Sequence, residues 1–257
     1  MEHRKPVIHR YQNGTLTLEQ GETVHEFALL LQVNGREIAT LVSSPHDLRQ
    51  LVVGFLRLQG FVQTIADFDL LAICDDFGVA NIRIKGELPD QLRPVLTSGC
   101  GTGITFTLPE APAGTMHRAA QPTEAATIFR LMEQLNRLTE RYSTHGGIHS
   151  AAVGDEQGLL LHCEDIGRHN TIDRIAGEAL LRGIDLSGKL LLTSGRISSE
   201  MAAKAAQLGV RLLASRTSPT DMAATICQQA GITLVGYVRG GTFKVYSRSE
   251  GIITPNA

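Results

Sequence analysis

Segments of strand character and segments of helix character alternate in the second half of the chain, and this alternation restricts the possible folds most. Apolar stretches of strand length at 190–193, 210–214 and 232–237 are separated by segments of helical spacing at 199–208 and 219–230. Such units place neighbouring strands in one parallel or mixed sheet with helices on its faces, so the pattern predicts an α/β fold. The further elements predicted in this half are strands at 148–153, 159–163 and 242–247 and a helix at 170–181.

Short strands dominate the first 110 residues. The dipeptide Asn34-Gly35, which is typical of a tight hairpin turn, lies between two strand-like segments at 26–31 and 37–42. A second hairpin is predicted at 70–84. Between the two hairpins, Ser44-Pro45 indicates the start of a helix, because proline is favoured in the first helical turn.

A change of composition separates the two halves. Residues 110–122 are rich in alanine, proline and glycine, which indicates a linker. After it, Thr123 with Glu124 indicates the start of a long amphipathic helix. We therefore predict a β-rich N-terminal region over 1–110 and an α/β domain over 111–257.

Charge and cysteine content exclude several classes of function. A net charge of −2 argues against bulk nucleic-acid binding, and the absence of tryptophan argues against a stacking platform for single strands. No segment reaches the roughly 18 uninterrupted apolar residues of a membrane span, and no apolar run of signal-peptide length follows the N-terminus. The spacing of the cysteines fits neither a local zinc site nor a redox pair, so we expect reduced thiols and a cytoplasmic protein. These cysteines are Cys74, Cys100, Cys163 and Cys227.

The segment 97–103 presents one cysteine, Cys100, among small residues. Three glycines in five positions do not suit a packed strand, because glycine has no side chain to bury and costs backbone entropy. A loop that exposes an ionisable thiol suits a sulfur carrier, whose thiolate attacks a donor persulfide and later hands on the outer sulfur. The residue types also allow a small buried cysteine beside a glycine turn.

A polar segment, 164–170, follows a predicted strand and precedes a predicted helix. In α/β proteins such junctions bind ligands, phosphates above all. Arg168 can form a bidentate pair with a phosphate, and His169 can accept or donate a proton. A structural role is equally open, with Asp165 paired to Arg168 and Asn170 capping the helix.

Three later junctions repeat this design. Ser194-Gly195-Arg196 and the segment 215–219 each follow a strand, and 237–242 joins the last two strands with Arg239 beside two glycines. Because successive strand ends meet at one sheet edge, these residues predict a crevice for an anionic, phosphorylated ligand. Each junction taken alone could be a capped helix or a tight turn with a solvated arginine. His145 and His149 are further candidates for the crevice, with structural packing as the open alternative.

Together these stretches resemble the FdhD family, the accessory proteins of formate dehydrogenase. The resemblance covers most of the chain, and its most specific parts occur in the family's order. Those parts are Glu164-Asp165-Ile166-Gly167-Arg168-His169-Asn170, Ser194-Gly195-Arg196 and Leu234-Val235-Gly236-Tyr237-Val238-Arg239-Gly240-Gly241.

The resemblance implies a sulfurtransferase that works as a sulfur carrier. Family members take sulfur from a cysteine desulfurase as a cysteine persulfide. They pass it to the molybdenum cofactor, bis-molybdopterin guanine dinucleotide, before that cofactor enters formate dehydrogenase. The resemblance further implies a cytidine-deaminase-like fold for the larger domain, a homodimer, and Cys100 as the catalytic thiol.

The cofactor-binding stretch of the family corresponds to residues 237–242. Its members here are Tyr237, Val238, Arg239, Gly240, Gly241 and Thr242. The junctions described above add Arg168, His169 and Arg196 as residues that we expect to face the cofactor.

The thiol loop departs from the family pattern at one position. Family members often carry Cys-x-x-Cys there, whereas this chain has Gly103 in the second cysteine position. A disulfide within the loop is therefore impossible, although one cysteine suffices chemically for persulfide transfer. A cofactor-binding chaperone without sulfur transfer is the alternative. A zinc deaminase is disfavoured, because no glutamate follows His145 at the required place and no paired cysteines follow.

Overall fold

The computed structural model of the chain describes residues 7–21, 23–90, 95–96, 104–105, 121–139 and 146–254. The predicted fold class is confirmed: the protein is mixed α/β, with a sheet covered by helices and a smaller β-rich N-terminal region. The linker predicted at 110–122 falls almost wholly outside the described residues, and the division into two domains stays a prediction. In the described part of the chain, no helix is long and apolar enough to cross a membrane.

The N-terminal region contains a separate hairpin, a four-stranded sheet and one helix. The hairpin is β1 (Val7–Gln12) with β2 (Thr15–Gln20), and the sheet holds β3 (Phe27–Val33), β4 (Arg36–Ser43), β5 (Phe68–Cys74) and β6 (Val79–Ile84). The strand order is β4-β3-β6-β5, with β3 and β6 parallel and the other neighbours antiparallel. Helix α1 (Leu48–Leu58) buries its apolar stripe on one face of this sheet. Both hairpins predicted from the sequence are confirmed.

Several short elements lie outside the two main sheets. Strands β7 (Val95–Leu96) and β8 (Ile104–Thr105) pair with each other, and 3₁₀ turns occur at Ile65–Asp67, Asp75–Phe77 and Ser249–Gly251. The helix predicted to open at Thr123 begins later, as α2 (Ala125–Leu138). Thr123 and Glu124 form strand β9 instead, because they pair with the C-terminal strand β16 (Ile252–Ile253), a long-range partner that local sequence signals do not reveal.

A six-stranded sheet is the centre of the C-terminal half. Its order is β11-β10-β12-β13-β14-β15, in which β12, β13 and β14 are parallel and β10 runs antiparallel to β12. The C-terminal ends of the three parallel strands and the start of β10 therefore meet at one edge. The strands are β10 (His149–Gly154), β11 (Leu159–Asp165), β12 (Leu190–Thr193), β13 (Leu212–Ser215), β14 (Thr233–Arg239) and β15 (Thr242–Ser247).

Helices cover both faces of this sheet. On one face lie α3 (Arg168–Arg182), α4 (Ser199–Gln207) and α5 (Asp221–Ala230), packed on side chains such as Leu191 and Leu213. On the other face, α2 packs on the alternate strand positions, including Leu190 and Leu212. Because helices cover both faces of the sheet, every position of the central strands is buried on one face or the other, and the strands are apolar throughout.

Two glycines bring the N-terminal helix α1 into close contact with α3. A Cβ atom at Gly54 would lie 1.6 Å from the carbonyl oxygen of Asp173, and one at Gly177 would lie 1.9 Å from that of Gln50. A side chain at either position would force the helices apart. The contact holds the β-rich region against the helix whose first residues adjoin the sheet edge.

Candidate functional site

A polar cleft of about 350 Å³ lies at the edge where the parallel strands end. This is where open α/β sheets bind ligands, because the loops after the strands diverge there. The described residues that line the cleft come from the start of β10 and from the turns after β12, β13 and β14. They are Thr139, Gly147, Ile148, His149, Ser150, Ser194, Arg216, Thr217 and Arg239.

Hydrogen bonds of serine hydroxyl groups stabilise the turns that form the cleft wall. Ser150 N donates to Ser194 Oγ at 2.9 Å, and Ser194 N donates to Ser150 O at 2.9 Å, which ties β10 to the end of β12. Ser215 Oγ donates to Gly195 O at 2.7 Å and accepts from Thr217 N at 3.0 Å. These serines are therefore occupied in shaping the turns.

Arginines supply the charge of the cleft. Arg216 is exposed and donates to Asn136 Oδ1 of α2 at 3.0 Å, while Arg239 is exposed at the end of β14. The guanidinium of Arg239 lies 5.7 Å from the centre of the Tyr237 ring, and Lys244 Nζ lies 5.2 Å from the same centre. The described residues along the cleft wall include no carboxylate, so the cleft is suited to an anion.

The stretch predicted to bind cofactor forms the turn between β14 and β15. Tyr237 has a left-handed backbone with φ of 58° and donates its amide to Thr217 O at 3.1 Å. Gly240 and Gly241 have φ values of 58° and 73°, which glycine adopts without strain. Val238 is buried, and Thr242 Oγ1 donates to Arg239 O at 3.2 Å. Arg239 alone of these side chains lines the cleft.

Arg168 lies behind the cleft wall and beside His149. A Cβ atom at Gly195 would lie 3.1 Å from Arg168 Cβ and 3.2 Å from His149 Nδ1, so glycine allows the turn after β12 to pass over both. Burial lowers the pKa of the His149 imidazole, and Arg168 and His169 lower it further, while Asp165 acts in the opposite direction. His149 therefore presents a neutral ring to the cleft at neutral pH.

His169 is buried and is not among the residues that line the cleft. Its Nε2 atom lies 3.0 Å from Ser198 Oγ and 2.9 Å from Glu200 Oε2, both at the start of α4. Burial lowers the pKa of His169, partly opposed by Glu200. Arg196 is exposed but is not among the residues that line the cleft. Binding of a ligand by Arg168, His169 or Arg196 stays a prediction.

The two contacts proposed as the structural alternative for residues 164–170 are both wrong, although the segment does form a buried polar network. Asp165 pairs with Arg174, whose Nε lies 2.8 Å and Nη2 2.6 Å from Asp165 Oδ2, rather than with Arg168. Asn170 does not cap the helix, since its Nδ2 donates to Val42 O and to Asp165 Oδ1. Arg174 also donates to the carbonyls of Ser44 and His46, so this network fastens the end of β4 to α3. Sequence reasoning missed Arg174, although it interrupts an otherwise apolar helix stripe.

The predicted catalytic residue, Cys100, lies outside the described residues. Of the other cysteines, Cys74 is exposed on β5, Cys163 is half-buried on β11, and Cys227 is buried. Burial raises the pKa of the Cys163 and Cys227 thiols, that of Cys227 to about 12, which disfavours the reactive thiolate at neutral pH. Among the described residues, no group of three His, Cys, Asp or Glu side chains could hold a metal ion.

Comparisons with known proteins agree with the resemblance seen in the sequence. The model of the FdhD/NarQ family matches residues 24–253. A protein from Bacillus pumilus named sulfur carrier protein FdhD is 37% identical over 254 residues, covering 97% of this chain and 97% of its own length. A protein of the same name from Staphylococcus aureus is 35% identical, covering 97% and 96%.

A solved structure supports the fold. It is a protein from Desulfotalea psychrophila that is described as a formate dehydrogenase accessory protein. It superimposes with a TM-score of 0.76 over 96% of this chain and 98% of its own, at 22% sequence identity. At that identity, the match bears on the architecture alone.

Proposed function

Because the chain belongs to the FdhD/NarQ family, as its motifs predict, we propose that it is a cytoplasmic sulfur carrier for the molybdenum cofactor of formate dehydrogenase. In this proposal Cys100 takes sulfur from a cysteine desulfurase as a persulfide. The sulfur then passes to bis-molybdopterin guanine dinucleotide before that molecule enters formate dehydrogenase. The observation that carries the proposal is the arginine-lined cleft at the strand ends, which suits a phosphorylated substrate.

The first step is a thiol exchange. The thiolate of Cys100 attacks the outer sulfur of the persulfide on the desulfurase, so one S–S bond forms while the other breaks. The desulfurase cysteine leaves as a thiolate, and Cys100 becomes the persulfide. No external oxidant is needed, because the outer sulfur keeps its oxidation state. A single cysteine therefore suffices, and Gly103 does not prevent this step.

The chemistry of the remaining thiols supports the choice of Cys100. Cys163 is half-buried and Cys227 is buried, and burial raises the pKa of both thiols, which disfavours their thiolates at neutral pH. Cys74 is exposed, but it lies on a strand of the N-terminal sheet rather than in a glycine-rich loop. Cys74 is thus a matched control for Cys100.

The cleft is proposed to hold one guanine nucleotide end of the substrate. Its volume of about 350 Å³ falls in the lower part of the range for small-molecule pockets, so it suits a nucleotide rather than the whole cofactor. Arg216 and Arg239 would contact the diphosphate, and neutral His149 would supply a hydrogen bond.

The second candidate is a cofactor-binding chaperone without sulfur transfer. Gly103 favours it, because the segment 97–103 holds no second cysteine beside Cys100. The two candidates share the cleft and differ only in the reactivity of Cys100.

The test is to incubate the protein with a cysteine desulfurase and cysteine and to record the intact mass. Wild type and Cys74→Ala are expected to gain one sulfur atom that a reductant removes, whereas Cys100→Ala gains none. Sulfur on Cys100→Ala but not on Cys74→Ala would refute the assignment of the thiol. If wild type gains no sulfur while a Cys-x-x-Cys relative does, the chaperone function is favoured.

A further inference from the structure

His149 is a titratable residue of the cleft wall with a buried cation packed beside it. It is the first residue of β10, it is half-buried, and it lines the cleft. Arg168 is buried and does not line the cleft. The turn after β12 packs on both residues, since a Cβ atom at Gly195 would lie 3.2 Å from His149 Nδ1 and 3.1 Å and 3.5 Å from Arg168 Cβ and Cδ. The imidazole is therefore open to a ligand, whereas the arginine is not.

On the elements that pack around His149, the described charged and titratable groups are mostly cationic. Arg168 and His169 belong to α3, Asp165 to the end of β11, Arg196 to the turn after β12, and Arg216 and Arg239 to the cleft. Asp165 is the carboxylate of this set, and it is already paired with Arg174. Burial lowers the pKa of His149, Arg168 and His169 lower it further, and Asp165 opposes them. The ring is therefore neutral in the free protein at neutral pH.

A phosphorylated ligand in the cleft would reverse this balance. A diphosphate held by Arg216 and Arg239 brings more than one negative charge to the wall that contains His149. A nearby opposite charge favours the charged form of an ionisable group, and the exclusion of water strengthens the effect. A guanidinium stays protonated throughout. Among the described residues of the cleft wall, His149 is thus the one whose charge can change near neutral pH when a ligand enters.

We propose that His149 takes up a proton when a phosphorylated ligand enters the cleft, and that Arg168 is the positioning residue that keeps the ring neutral until then. This deepens the proposed function and rests on it, because the ligand is the nucleotide end of the substrate. The proton comes from the solvent and adds to the ring nitrogen that carries the lone pair, so no other group of the protein has to lose one. The ring becomes a third cation beside the two arginines.

A histidine in this position makes the cleft selective for highly charged ligands. A third permanent cation would attract any anion, whereas an imidazole beside a buried arginine becomes charged only when the ligand brings enough negative charge close to it. A ligand of low charge would meet a neutral ring and bind through fewer charge-assisted hydrogen bonds. Arg168 thus acts on the ligand through His149 and not by contact.

Isothermal titration calorimetry of the full-length protein with guanosine diphosphate measures the proton uptake. Titrations in buffers of different ionisation enthalpy, between about pH 5.5 and 7.5, give the number of protons taken up for each ligand bound. If the ligand raises the pKa of His149 by about one, uptake reaches about half a proton at its maximum, and the imidazole strengthens binding by up to about tenfold at the acid end.

Two histidine variants isolate this proton. His149→Gln keeps a hydrogen-bond donor but cannot take up a proton, so it should bind within a few-fold of wild type at the alkaline end and progressively more weakly than wild type as the pH falls. Its proton uptake should be lower than that of wild type by the share of the imidazole, since the phosphates of the ligand contribute equally to both. His162→Gln is the matched control, because His162 is exposed on the neighbouring strand β11, and it should behave as wild type.

Two arginine variants test the positioning role. Arg168→Met removes the cation and keeps much of the apolar stem. His149 should then become charged more easily in the free protein, so the maximum of proton uptake should move to higher pH. Arg168→Lys, which keeps a cation, should move the maximum less. Circular dichroism at each pH establishes that the variants keep the fold.

The outcomes separate this proposal from the proposed function. Equal proton uptake by wild type and His149→Gln, both of which bind guanosine diphosphate, would overturn the role of His149 and leave the nucleotide cleft intact. No binding of guanosine diphosphate by wild type at any pH would overturn the nucleotide cleft and the role of His149 together. A maximum that stays in place in both folded Arg168 variants would refute the role of Arg168.

Discussion

Replacement of Arg174 by methionine is expected to destabilise the protein strongly. Arg174 and Asp165 are 1% and 0% exposed at their side chains, and their closest atoms are 2.6 Å apart. Methionine keeps much of the length of the arginine stem but removes the charge and all donors. The carboxylate of Asp165 would then stay buried, with the backbone amides of Ser44 and Gly167 and the side chain of Asn170 as its remaining donors.

The magnitude follows from the burial of the pair. Breaking a buried ion pair by removal of one partner costs about 3–5 kcal/mol, because a charge is left without compensation. The carbonyls of Ser44 and His46 lose the hydrogen bonds from Arg174 at the same time. With a urea m-value of about 3 kcal/mol/M, the unfolding midpoint should fall by about 1 to 2 M.

Urea unfolding followed by circular dichroism measures this effect. Arg182→Met is the matched control, because Arg182 forms an exposed pair with Glu178 at 2.9 Å in the same helix, with 56% and 27% of the two side chains exposed. The free energy of unfolding of that variant should fall by less than about 0.5 kcal/mol. If Arg174→Met lowers the free energy of unfolding by less than about 1 kcal/mol with an unchanged m-value, the buried pair does not stabilise the contact between β4 and α3.

Two further predictions concern titration and binding. Burial lowers the pKa of His169 in the folded protein from its ordinary value of 6.5. Near and below pH 6.5 the unfolded chain therefore binds more protons than the folded protein. The contribution of His169 to the free energy of unfolding should be complete above pH 6.5 and decline as the pH falls. His169→Gln should lessen that decline in thermal unfolding between pH 7.5 and 5.5, and an unchanged slope would contradict the burial of a neutral imidazole. Arg216→Ala and Arg239→Ala should each weaken binding of guanosine diphosphate by about 10-fold or more in calorimetry, since each removes a charge-assisted hydrogen bond. Arg182→Ala should bind as wild type, and equal weakening by all three variants would refute the placement of the nucleotide in the cleft.

Local signals in the sequence predicted most of the elements. Asn34-Gly35 forms the turn of a hairpin as expected, and Asn13-Gly14 joins β1 to β2 with the same signal, which would have revealed that hairpin too. The central strands at 190–193 and 212–215 are found close to their predicted positions, because apolar runs bounded by turn residues are unambiguous in an α/β pattern.

Long-range contacts could not be predicted in the same way. Thr123 has the character of a helix cap, yet it pairs with Ile252, which is 129 residues away in sequence. Proximity in sequence predicts a pair between Asp165 and Arg168, but the helix turns Arg174 toward Asp165 and Arg168 toward His149. Sequence spacing identifies which polar groups gather near the sheet edge, whereas packing decides which of them pair.

The polar residues after the strands divide into two groups, and the division determines what a substitution tests. Ser194 and Ser215 use their hydroxyls within the turns, so replacing either should disturb the cleft wall and the fold together. Arg216 and Arg239 are exposed and contribute little to the core, so replacing either should leave stability nearly unchanged. A loss of nucleotide binding with unchanged stability therefore points to direct contact with the ligand. The same loss in a serine variant would report only that the turn had moved.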